Sequence, residues 1–273
     1  MSHAQAIRWL EGKRLLVVDD NPLNQEVAMA LLTHVGADVT VVGNGHAAVR
    51  AVCDRRFDCV IMDVQMPVMD GIEATRLIRD DPLTASTKVV AMTAVSHSAM
   101  RERCLLVGMD EFIAKPVESG LFYETIARVL SIDLTPAPIE RVSTPAISAA
   151  IAKCDPQILD LEALSKFVAG RIDRLGRYVS MYDDSMRATA DDLDQALANR
   201  DVPAVANIGH RMKSSSRLVG ARGVVSLCEA LERVRHDTDP GNAAAIVARI
   251  KDEFERIHAQ TAVLLEELTD DVH

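Results

Sequence analysis

Asp19 and Asp20 stand side by side at the end of RLLVVDD, Asp63 closes DCVIMD, Thr93 closes KVVAMT and Lys115 closes EFIAK. Each of these runs is short and apolar. If the runs are neighbouring strands of one sheet, three carboxylates, a hydroxyl and an ammonium converge. Carboxylates so close repel one another unless a cation neutralises them or a proton is shared. Oxygen donors without imidazole or thiolate suit Mg2+, which keeps some of its water and usually binds beside a phosphate. A hydroxyl and an ammonium are the partners a phosphoryl group needs once an aspartate carries it. This inventory describes phosphoryl transfer to a carboxylate. Pro116, next to Lys115, is placed to fix that lysine's loop, and an X-Pro bond is the one readily open to the cis form.

A second set lies almost 150 residues on, in GHRMKSSSRL (209–218). His210, Lys213 and Ser214 fall at i, i+3 and i+4 and share one face of a helix. Neutral imidazole is a competent nucleophile towards phosphorus, and its unperturbed pKa near ~6.5 leaves mostly that form at neutral pH. Lys213 is suited to stabilise the oxygens of an acquired phosphoryl group. The small residues 214–216 are expected to keep the ring open to a protein-sized partner. His34, His46, His97, His236 and His258 have no such neighbours and read as ordinary surface or core histidines.

The elements that must position these groups fall into two rhythms. Residues 14–19, 38–42, 58–63, 88–93 and 111–115 read as buried strands. They alternate with helical spacing over 23–35, 45–55, 70–80, 97–107 and 119–131, predicting a parallel sheet covered on both faces. Ligands of such sheets bind outside the carboxyl ends of the strands, where strand order reverses. A strand-end aspartate is commonly just a helix cap, and Asp-Asn-Pro an ordinary helix start. Five residues at the ends of four strands are a different matter.

Residues 134–157 hold four of the ten prolines and no strong periodicity, and read as a linker, with 1–12 as an N-terminal extension. From 158 to 270 apolar residues recur every three or four positions, with breaks at Gly170, 201–203, Gly220 and 239–241. An antiparallel helical bundle with one short leading helix is expected. The fold class is therefore α/β plus all-α: a doubly wound five-stranded sheet at 13–133, then the bundle.

Composition excludes several functions. The formal charge is −10 and only nine residues are aromatic, arguing against nucleic acid and anionic membrane as partners. Five scattered cysteines without a C-x-x-C arrangement argue against a disulfide framework or zinc site, and a reducing cytoplasmic setting follows. No apolar run is long enough to span a bilayer, and no signal-peptide pattern opens the chain. GNGHAA (43–48) superficially fits a dinucleotide-binding turn. It follows the second strand, however, and the first strand's turn is occupied by two acids that would repel a pyrophosphate.

Residues 13–131, with VVDDNPLNQEVA, VIMDVQMPVMDG, AMTA and IAKP in order, resemble a flavodoxin-like receiver domain of two-component signalling. The resemblance implies Asp63 as phosphoacceptor, with Asp19, Asp20, Asp63 and the Gln65 backbone carbonyl as Mg2+ ligands. It also implies Thr93 and Lys115 as phosphate contacts, and Phe112 as the aromatic that moves with the threonine. Residues 158–268, with GHRMKSSSRLVGA, resemble a histidine phosphotransfer (HPt) domain, although that family generally has glycine where Ser214 stands. His210 is then a second phosphoacceptor, supported by Lys213 and Ser214. The order resembles the C-terminal part of a hybrid sensor histidine kinase and implies two partners: an upstream histidine kinase, in cis or in trans, and a downstream receiver. Nothing resembles an ATP-binding kinase domain, so phosphate is expected from outside the chain. The competing expectation is a docking scaffold whose bundle binds a partner without carrying phosphate.

Overall fold

The computed structural model describes residues 8–93, 98–115, 117–133, 144–168, 170–235 and 239–270; His97, Pro116 and His236 lie outside them. The chain divides into two compact units, 1–140 and 141–273.

The first unit is a five-stranded parallel sheet in the order β2-β1-β3-β4-β5, formed by β1 (Arg14–Val18), β2 (Asp38–Val42), β3 (Cys59–Asp63), β4 (Lys88–Thr93) and β5 (Glu111–Ala114). Strands β1, β3 and β4 are buried almost end to end, as a sheet covered on both faces requires. The connecting helices are α1 (Pro22–His34), α2 (Gly45–Asp54), α3 (Gly71–Asp80), α4 (Ser98–Leu106) and α5 (Ser119–Val129). Their starts are written in the sequence. Asn21, Asn44 and Asp70 cap α1, α2 and α3 by accepting amide hydrogens, and Pro22 occupies the first turn of α1. The glycine-rich turn GNGHAA is one of these starts. Asn44 caps α2, and a Cβ on Gly45 would lie 2.7 Å from the Met69 carbonyl oxygen, so close packing explains this glycine.

Residues 8–12, expected to be an extension, are integral to this unit. Leu10 is fully buried and its amide donates to Val35 O at 3.0 Å, while Trp9 meets Tyr123 edge-on at 5.6 Å.

The second unit contains α6 (Pro145–Ala152), α7 (Glu162–Ser165), α8 (Ile172–Ala198), α9 (Val202–Leu218), α10 (Arg222–Arg233) and α11 (Pro240–Asp270). Helices α8 to α11 pack each on the next, and α11 closes back on α8. The breaks predicted at 201–203, Gly220 and 239–241 separate them, with Asp201 capping α9. Helix α6 was not anticipated. It lies within residues 134–157, where the sequence suggested only a linker; Thr144 caps it, Ile147 is fully buried and the helix packs on α8. Alanine-rich and without charge, it shows no polar face to reveal its helical period.

Candidate functional site

Because β1 lies between β2 and β3, strand order reverses at β1, and the carboxyl ends of β1 and β3 are adjacent. Asp19 follows β1, Asp63 ends β3, Thr93 ends β4 and Lys115 follows β5. The pairing continues past the strands, for the Lys115 amide donates to Thr93 O at 2.8 Å. Carboxylate oxygens of Asp19, Asp20 and Asp63 all lie within 4.8 Å of one another. Lys115 Nζ donates to Asp19 Oδ2 and to Asp63 Oδ2, each at 2.6 Å. The four charged groups that the sequence placed on three strand ends therefore form one cluster.

Each acid is held in place from nearby. Asp19 is fully buried and accepts from the Asn21 amide at 2.9 Å and from Asn24 Nδ2 at 3.1 Å. Its backbone carbonyl accepts from Gln25 Nε2. The whole DDNPLNQ turn thus fixes the orientation of one carboxylate. Asp63 Oδ1 accepts from the Gln65 amide at 3.1 Å. Gly71 allows α3 to begin against the site, since a Cβ there would lie 2.2 Å from Asp63 O.

Burial pushes the Asp63 carboxyl up; the Lys115 ammonium opposes the rise and Asp19 adds to it, leaving a value of about 7. Burial alone would lower the Lys115 ammonium, but its two carboxylates override this and hold it above the ordinary lysine value. Asp19, Asp20 and Asp63 offer oxygen donors alone, close enough together to share one cation. The donor set fits Mg2+. Thr93 is buried beside this cluster's strand ends. Phe112 is half-buried on β5, its ring covered by the Arg101 guanidinium at 4.7 Å.

In the second unit, α9 and α10 approach closely because Gly209 has no side chain; a Cβ would stand 2.9 Å from Leu231 Cδ1. That approach brings Glu232 of α10 against His210 and Lys213 of α9. Glu232 Oε1 accepts from His210 Nδ1 at 2.5 Å, and the carboxylate accepts from Lys213 Nζ at 2.6 and 2.7 Å. A carboxylate is an acceptor only, so Nδ1 carries a proton, and in the neutral ring the lone pair is then on Nε2. Burial raises the Glu232 carboxyl, but the hydrogen bonds from His210 and Lys213 prevail and hold it down at about 2.

Two sequence expectations change here. Lys213, expected to await a phosphoryl group, is buried and committed to Glu232. The serines 214–216 do not together keep the histidine open. Ser215 and Ser216 are fully buried: Ser215 Oγ donates to Met212 O and Ser216 Oγ accepts from Tyr182. Their smallness serves the packing of α9 on its neighbours, and only Ser214 stands on the His210 face.

Glu232 was missed because it belongs to another helix. A faint signal exists: Lys213 and Arg217 on α9 meet Glu232 and Glu229 on α10 in antiparallel order. Of the histidines read as ordinary, His34 lies in the last turn of α1 and His46 in α2. His258 has more company than expected, for its Nδ1 bonds Asp183 at 3.0 Å across α8 and α11, with Arg187 against the ring.

Comparison with known proteins bears on both clusters. A family model for the response regulator receiver domain matches residues 15–127, and one for the Hpt domain matches residues 177–260. The chain is 33% identical over 237 residues to the "Sensor protein GacS" of Pseudomonas syringae pv. syringae, covering 85% of this chain and 26% of that protein. It is 26% identical over 252 residues to the "Signal transduction histidine-protein kinase BarA" of Escherichia coli K12, covering 92% and 27%. The chain thus spans about a quarter of the length of these curated relatives. Among solved structures, the receiver domain of sensor histidine kinase PA1611 from Pseudomonas aeruginosa PAO1, with a magnesium ion coordinated in its cleft, is 38% identical. It covers 44% of this chain and 98% of that one, with a TM-score of 0.42.

Proposed function

Because the chain belongs to the two-component phosphorelay proteins, a receiver domain followed by an Hpt domain as in the C-terminal parts of hybrid sensor kinases, we propose that it moves phosphoryl groups through Asp63 and His210. Asp63 takes its phosphoryl group from the phosphohistidine of an upstream kinase, in cis or in trans. His210 passes phosphoryl groups between receiver aspartates, ending at a downstream regulator. Phosphorelay of this kind belongs in the cytoplasm, and no helix among the described residues is long and apolar enough to cross a membrane. The observation that carries this reading is the convergence of Asp19, Asp20, Asp63 and Lys115 at the switch point of the sheet.

The residues divide the work as follows. Asp63 Oδ attacks phosphorus as the N–P bond of the donor breaks, and the leaving imidazole keeps the electron pair. Asp19, Asp20, Asp63 and the Gln65 carbonyl would hold Mg2+, which supplies charge neutralisation to the transferring oxygens. Lys115, which ties Asp63 to Asp19 here, exchanges one carboxylate for a phosphoryl oxygen, and Thr93 supplies a hydroxyl. Phe112 shifts with Thr93.

At the second centre, Nε2 of His210 attacks phosphorus and the aspartate leaves as a carboxylate. The ring keeps its Nδ1 proton and becomes cationic, and Glu232 faces that developing charge. Lys213 fixes Glu232 rather than the phosphoryl group.

The test uses a phosphorylated donor kinase with Mg2+, added to wild type, Asp63→Ala and His210→Ala. Acyl phosphate is lost in base and phosphohistidine in acid. Acid-labile label in wild type that requires His210, with base-labile label that requires Asp63, is expected. If Asp63 is labelled but His210 accepts nothing from any receiver, the bundle is a docking scaffold and the relay fails.

A further inference from the structure

On the face of α9 that carries His210, Asn207 lies one turn before it, residues 213 and 214 one turn after it, and residue 217 two turns after it. Lys213 is buried against Glu232, and Arg217 pairs with Glu229 at 2.9 Å. The next two serines are buried, with hydroxyls bonded to Met212 and Tyr182. Ser214 is different. It is half-buried, and its hydroxyl makes no hydrogen bond to any described residue. Helical side chains lean towards the N-terminus, which aims Ser214 back over the turn that bears the imidazole. The Nδ1 edge of that ring is occupied by Glu232, so any group that the ring acquires is on Nε2.

We propose that Ser214 is a phosphoryl-binding residue: its Oγ–H donates to an oxygen of the phosphoryl group on His210 Nε2. This rests on the relay reading above and deepens it at the second centre. The hydroxyl replaces the lysine in that role, because the ammonium is spent on orienting Glu232. No bond to Ser214 forms or breaks. A hydrogen bond to a doubly charged phosphoryl oxygen is charge-assisted, and is strong enough to shift the partition between phosphoaspartate and phosphohistidine by about tenfold towards histidine. It also slows hydrolysis of the phosphohistidine, because water must displace it.

The experiment uses two full-length chains. The donor is His210→Ala, loaded on Asp63 with acetyl phosphate and Mg2+; the acceptor is Asp63→Ala, carrying Ser214, Ala, Thr or Gly at 214. Both the equilibrium share of acid-labile label and its decay after donor removal are read. Ser214→Ala is expected to lower the ratio of acid-labile to base-labile label about tenfold and shorten the lifetime, with Ser214→Thr restoring both. If Ser214→Ala matches the serine protein and only Ser214→Gly changes the transfer rate, residue 214 acts by bulk and the inference is overturned. If no acceptor, including the one with Ser214, takes acid-labile label from a donor shown to carry base-labile label, the relay reading itself fails and Ser214 loses its role with it.

Discussion

Val68 has a backbone that valine does not favour. Its φ is 73°, and the Met69 amide donates to Pro67 O at 2.9 Å across it, closing a γ-turn of the strained, positive-φ kind. The side chain is 87% exposed, so no packing compensates for the conformation. Val68→Gly is expected to raise stability by about 1 kcal/mol in urea denaturation, the relieved strain being partly offset by the freedom of unfolded glycine. Glu232 supplies a second residue-scale test. A carboxyl held at about 2 contributes stability that is fully present above the ordinary glutamate value and lost as pH falls through 2. Glu232→Gln leaves Lys213 buried without its charge partner, so this variant is expected to be less stable at pH 7. Urea titrations in steps from about pH 5 down to about pH 2 should show the gap to wild type closing. Of these two residues, neither role was legible in the sequence. A strand-end aspartate announces itself through its own neighbours, whereas Glu232 matters through His210 and Lys213, which reach it only after two helices have packed. Val68 gave no warning because φ is not written in residue type unless the residue is glycine.

Among the elements, the five strands and their helices were legible because each obeys a local rule: apolar runs, side-chain caps, proline in a first turn. The site was legible with them, since strand ends in an open parallel sheet have a known destination. Helix α6 was not, because proline and alanine together resemble a linker until Ile147 finds a core. Ile147→Ala is expected to destabilise the second unit by about 2–4 kcal/mol, although the residue lies outside the stretch that the Hpt model matches. A thermal or urea melt followed by circular dichroism reads this directly. Gly209 sets the spacing of α9 and α10. Gly209→Ala forces its methyl against fully buried Leu231 and is expected to cost about 1–3 kcal/mol. Widening that interface also parts His210 from Glu232. The variant's rate of phosphoryl acceptance from a loaded receiver should therefore fall further than its loss of folded protein explains.

Across the molecule the charge is −10, yet it is unevenly spread. From α9 to the end of α10 and just beyond, the sequence carries Arg211, Lys213, Arg217, Arg222, Arg233 and Arg235 against two acids, Glu229 and Glu232, although Arg211 and Arg222 also pair with Asp192 and Asp160. Helices α8 and α11 each carry more acids than bases. A receiver's acidic pocket approaching His210 therefore meets the basic side of an otherwise acidic bundle, which favours encounter at low ionic strength. Transfer from a loaded receiver is expected to slow several-fold as salt rises from about 0.05 M to about 0.5 M, and Arg233→Glu should remove part of that dependence. Stopped-flow or quenched-flow labelling in a salt series measures it; a flat profile would show that docking is not charge-steered. The placement of Trp9 has a further, optical consequence. It is the sole tryptophan, it stacks edge-on against Tyr123, and it belongs to the unit built on the sheet, while the bundle's aromatic chromophores are Tyr178, Tyr182 and two phenylalanines. Excitation at the red edge of protein absorbance, where tyrosine is dark, therefore makes one half of the chain luminous and leaves the other silent. Fluorescence follows the receiver alone, in an intact protein that needs no dye.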